Sequence, residues 1–136
     1  MQLQYLLPAA FFAAATMAAK FNGFSNVACQ QYDGTYIPMT ATQLQDIVVK
    51  SWATTQEIPE ASRSFTAPDD KKLCPSNSDD TYKWVSIPQW SQGSKWPAGN
   101  GGALAVVYYK ETDTYNVCRY LSAAQADGYK GACKWE

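Results

Sequence analysis

The residue types that could do chemistry in this chain are few, and the missing ones decide most. The sequence has no histidine. Ser-His-Asp and Cys-His arrangements therefore cannot form, and no imidazole acid or base exists. Carboxylates stand in close pairs, Asp69/Asp70, Asp79/Asp80 and Glu111/Asp113. Each pair falls in a loop- or turn-like stretch, where solvated surface charge is the plain reading. Cys29, Cys74, Cys118 and Cys133 are the other reactive side chains. They are widely dispersed and form no CxxC, so no zinc site is predicted. In a secreted domain of this size an even count predicts disulfides. Four cysteines allow three pairings, and spacing does not choose among them. Oxidised sulfur supplies no thiolate nucleophile. Gly99-Asn100-Gly101-Gly102 precedes a strand-like run, so it lacks the helix N-terminus that a phosphate loop needs. No cofactor and no metal is predicted.

Any site must be carried by one domain, since 136 residues suffice for one and not two. Residues 6–19 form an apolar, uncharged run that ends in small residues before Lys20. The run is short for a membrane span and reads as a secretory signal, cut after Ala18 or Ala19. It lacks the usual Lys or Arg ahead of it. The predicted organisation is a signal peptide over 1–19 and a domain with two disulfides over 20–136. No other segment is apolar and long enough to span a membrane, so no membrane partner is predicted. The net charge of −1 argues against strong nonspecific nucleic-acid binding, which needs a basic face.

The elements follow from periodicity and turn chemistry. Asp33-Gly34 marks a turn between short extended pieces. Thr40 and Gln43 form a capping box, and Leu44, Ile47, Val48 and Trp52 make one apolar helical face behind it. Pro59, Pro68 and Pro75 make residues 54–80 loop-rich, with Cys74 pinning the loop to the body. Residues 82–88 read as a strand, 89–102 as a long surface loop, and 103–110 as a central strand buried on both sides. Residues 111–114 turn the chain into a partner strand over 115–121. A short piece bearing Cys133 ends the chain. One helix followed by antiparallel strands gives an α+β class.

This pattern of capped helix, Tyr82-Lys83-Trp84, Ala105-Val106-Val107-Tyr108, Val117–Tyr120 and terminal Cys133 resembles the small fungal guanyl-specific ribonucleases. It is closer to the ribonuclease-like secreted effectors of plant-pathogenic fungi, whose entry segment is similar to Cys29–Pro38. The resemblance implies one α-helix packed on a twisted antiparallel sheet. It also implies a disulfide from Cys29 to Cys133, leaving Cys74 and Cys118 as the second pair. The family's catalytic set is a His, a Glu, an Arg and a second His facing one groove. Carried onto this sequence, Lys83 stands for the Glu, Ala105 for the Arg, Tyr120 for the second His and Arg63 for the first. A lysine is a charged donor at neutral pH and does not take a 2′-hydroxyl proton unless its pKa falls greatly. The resemblance therefore implies a catalytically dead member.

Two functions follow as expectations for such a chain. Arg63 and Lys83 make the old groove more cationic, and Phe65, Tyr82 and Tyr120 offer stacking faces for weak RNA binding without cleavage. Alternatively, the scaffold displays Trp90 and Trp96, on the loop after Gln89, to a host protein or host immune receptor. An active ribonuclease using other residues, a secreted inhibitor and a carbohydrate-binding module are further alternatives. The protein is expected to be secreted, to act in or outside host cells, and to be a monomer.

Overall fold

The computed structural model describes residues 19–58, 80–91, 102–127, 129 and 131–136. Within them the chain forms β1 (Lys20–Asn22), β2 (Val27–Gln30), β3 (Tyr36–Met39), α1 (Ala41–Ser51), β4 (Thr81–Ser86), α2 (Pro88–Ser91), β5 (Ala103–Tyr109), β6 (Thr114–Leu121) and β7 (Cys133–Trp135). The class is α+β, as the residue pattern predicts. The expected single antiparallel sheet is instead two sheets. One has the order β1-β6-β5-β4 and the other β3-β2-β7. The pair β1·β6 is parallel, and every other pair is antiparallel. The chain leaves the first sheet at Gly23, whose φ of +79° is open to glycine. It enters the second sheet at Val27.

Local chemistry explains the elements that the sequence announces. The Thr40 side chain accepts from Gln43 N at 3.1 Å, and the Gln43 side chain accepts from Thr40 N at 2.8 Å, closing the capping box. Leu44 and Val48 are buried one turn apart, and Ile47 and Trp52 are half-buried beside them. The β2–β3 hairpin turns through Gly34 at φ +91°. The Asp33 carboxylate accepts from Thr35 N at 2.9 Å, which holds its carboxyl below the usual range. The β5–β6 hairpin turns at Lys110–Thr112, with Asp113 left-handed at φ 50°. Strand β5 is central, and Ala103 through Val107 are all buried. Its register slips between Ala105 and Val106, whose partners are Arg119 and Val117, so Cys118 is the extra residue of a bulge.

One core joins both sheets to the helix. Leu44 and Val48 meet Val85, Leu104, Val106 and Val117 of the first sheet and Val27 and Cys29 of the second. Trp90 belongs to this core. It is fully buried, and its indole N–H donates to Ile37 O at 2.8 Å. The expectation that Trp90 is an exposed anchor is therefore corrected. Residues 88–91 coil into a short helix that turns the ring inward, because an apolar ring with a satisfied donor is stable inside. The partner side of this packing is Gly102, where an added Cβ would lie 2.1 Å from Trp90 Cβ.

Cys29 and Cys133 are bonded, as the resemblance implied. Cys118 is also disulfide-bonded, and Cys74 lies outside the described residues. No described helix is long and apolar enough to cross a membrane.

Two substitutions test this packing by urea denaturation of the oxidised protein. Thr40→Ala removes the cap and is expected to cost about 1 kcal/mol. Gly102→Ala forces backbone or Trp90 to move and is expected to cost about 1–3 kcal/mol, against near-neutrality if Trp90 were a surface residue.

Candidate functional site

Strand pairing decides which side chains share a face. Lys83 lies opposite Val106 and Trp84 opposite Ala105. Directly opposed residues point the same way and alternate ones do not. Lys83 therefore points to the helix side with Val106, and Ala105 points to the other side with Tyr82 and Trp84. The two positions taken to correspond to Glu and Arg of one groove look in opposite directions.

Tyr82 is fully buried with Ile58, Ala105, Val107 and Cys118. It offers no face for a base to stack on, which corrects that expectation. The cause is the strand's own alternation, which sends Tyr82 into the second cluster when Lys83 and Val85 face the first. Tyr120 is brought to the helix side by the bulge at Cys118, which places it opposite Leu104. Its hydroxyl donates to Gly23 O at 2.5 Å and accepts from Ser25 N at 2.9 Å, and its ring meets Trp135 edge-on at 5.4 Å. Burial pushes its pKa up. Tyr120 thus fastens the segment between β1 and β2. Arg63, Phe65 and Trp96 lie outside the described residues, as do Asp69, Asp70 and Asp79.

Lys83 does specific work. Its ammonium donates to Trp52 O at 2.5 Å and lies 4.9 Å from the centroid of the Trp52 ring. Trp52 is the C-cap of α1 and opens a single 3-10 turn, Trp52–Thr54, in which its carbonyl also accepts from Thr55 N at 3.3 Å, close to the negative end of the helix dipole. The lysine caps that end from another element and adds a cation–π contact.

The rings around it form a group that sequence reasoning missed. Tyr108 and Tyr115 are register partners with centroids 4.7 Å apart. Trp52 stands 6.2 Å from Tyr108 and 5.2 Å from Tyr115. Phe21 stacks on Tyr115 at 5.8 Å and meets Phe24 edge-on at 5.4 Å. All five rings are half-buried. The hairpin turn would have revealed the Tyr108–Tyr115 pair. Nothing local signals Phe21, which arrives by parallel pairing of β1 with β6.

The Tyr108 hydroxyl donates to the Asp113 carboxylate at 2.7 Å. That hydrogen bond, then burial, then the charges of Asp113 and Tyr115, push the Tyr108 pKa up to about 12. Burial raises Tyr109 and Tyr115 too. These phenols hold their protons through neutral pH, and that of Tyr108 is donated to Asp113. Among the described residues no group of three or more His, Cys, Asp or Glu is placed to hold a metal ion. The arrangement presents aromatic surface, hydroxyl donors and a capped helix end.

Comparison with protein-family models, with curated proteins and with solved structures gives no match.

Two outcomes are expected. Asp113→Asn removes the acceptor charge, so Tyr108 ionises closer to pH 10, read as tyrosinate absorbance during alkaline titration. In the native chain this contact favours folding fully below the unfolded tyrosine pKa, and the contribution is lost as pH rises through about 12. Lys83→Met leaves the Trp52 carbonyl without its charged donor and is expected to cost about 1–3 kcal/mol in denaturant, with no such loss if the ammonium is idle.

Proposed function

We propose that this protein is a secreted effector of the ribonuclease-like type, that it has no ribonuclease activity, and that it acts on a plant host by binding a host protein. The observation that carries the absence of ribonuclease activity is that Lys83 and Ala105, the positions carried over for the family's Glu and Arg, face opposite sides of the sheet and form no common groove. The residue at the position where the resembling family keeps its general base is spent on the end of α1 and the Trp52 ring. The same reasoning favours protein over RNA as the ligand. Tyr82 is sealed in the core, Lys83 is engaged within the chain, and the Tyr120 hydroxyl is used by Gly23 and Ser25. A net charge of −1 adds no basic face. The α+β class and the Cys29–Cys133 disulfide are what the resemblance implies, and they support the reading at that coarse level. The apolar run over residues 6–19, which ends in small residues, supports the expectation of secretion.

The test is a paired assay on the oxidised chain from Lys20 onward, with an active fungal ribonuclease as control. RNA cleavage and RNA binding are followed across a salt series. The expected result is no cleavage and no salt-dependent binding. Salt-sensitive binding without cleavage would move the ligand from protein to RNA. Cleavage that persists through stringent purification would overturn the reading.

A further inference from the structure

Strand β7 is the last strand of the three-stranded sheet and one of its edges. Its register sets Cys133 opposite Cys29, Lys134 opposite Ala28 and Trp135 opposite Val27. Gln30 N donates to Ala132 O, and Glu136 N donates to Asn26 O. Hydrogen-bonded pairs alternate with non-hydrogen-bonded ones along an antiparallel ladder. Ala132, Lys134 and Glu136 therefore turn their backbone groups toward β2. Cys133 and Trp135 turn their N–H and C=O groups away from the sheet. No described residue pairs with these outward groups. The opposite edge of the same sheet, β3, carries Pro38, which has no N–H to offer.

The side chains along this open edge are distinctive. Trp135 is 56% exposed although it leans on Tyr120. Lys134 is exposed, with its ammonium 4.0 Å from the Tyr36 ring centroid. In an added antiparallel strand, Lys134 would occupy a non-hydrogen-bonded position, where facing side chains come closest. A facing carboxylate is favoured there and a facing cation disfavoured. A second copy paired about Lys134 would set lysine against lysine, which argues against self-pairing at this register.

We infer that β7 is a strand-addition edge that pairs antiparallel with an extended segment of a partner protein bearing an acidic residue opposite Lys134. This rests on the reading that the chain acts by binding a protein. Main-chain hydrogen bonds to Cys133 and Trp135 supply the attachment, and the facing residues supply selectivity.

The probes are a short blocked peptide, threonine-valine-glutamate-valine-threonine, and its lysine-centred counterpart, added to the isotope-labelled, oxidised chain. The glutamate peptide is expected to slow amide exchange at Cys133 and Trp135. It should bind roughly two- to fivefold tighter than the lysine peptide. Lys134→Glu, an exposed change that leaves the ladder intact, is expected to reverse that order. Absence of saturable binding, protection elsewhere, a preference indifferent to Lys134→Glu, or self-association through β7 would each overturn the inference. Failure here together with a host protein that still binds native and Lys134→Glu chains alike would leave the protein-binding reading standing. RNA cleavage in the paired assay would remove that reading by itself.

Discussion

Cys29 is fully buried among Leu44, Val48, Val85 and Leu104, and its sulfur is bonded to Cys133, 104 residues further on. The seat of β7 in the second sheet depends on that bond. Strand β7 has only three residues, too few to hold an edge by its ladder alone. A cross-link over a loop of that length contributes about 4–5 kcal/mol by chain entropy where strain is small. The same bond fixes the tail against β2. There Gln30 accepts Ala132 N on its side chain, and Gln125 donates to Gln31 O and Ala123 O. Gly131 is pressed into this cluster, where an added Cβ would lie 2.6 Å from the Gln125 amide nitrogen.

The first sheet is governed by alternation along β4 and β5. Val85 and Val106 face α1, so Lys83 must face it too, and Tyr82 and Trp84 must face away. This parity turns a residue that could have sat in an open groove into a cap for the helix. It also commits Tyr82 to the core. The bulge at Cys118 is the one place where parity changes, and it lets Tyr120 join the side of Leu104 and reach the segment from Gly23 to Ser25. The Lys83 ammonium and the Tyr120 hydroxyl are both taken up in holding one element to another.

On the proposed reading, the scaffold offers surface to a partner rather than catalytic machinery. A run of half-buried rings links Phe24 through Phe21 and Tyr115 to Trp52, and the outward backbone groups of β7 have no partner among the described residues. Every raised phenol among the described residues holds its proton at neutral pH.

The residues alone determined the elements whose signals are local. The capping box at Thr40, the Asp33-Gly34 turn, the buried run in β5 and the hairpin after it were legible because each is written within a few neighbouring positions. The α+β class follows from their order. Only tertiary structure decided the division into two sheets, the parallel seat of β1, the burial of Trp90 and the opposed directions of Lys83 and Ala105. The reason is physical. Strand register and sheet membership are set by packing between segments distant in sequence, and a shift of one position sends every side chain of a strand to the other face. The carried-over groove required Lys83 and Ala105 to share a face, a relation that no single segment encodes.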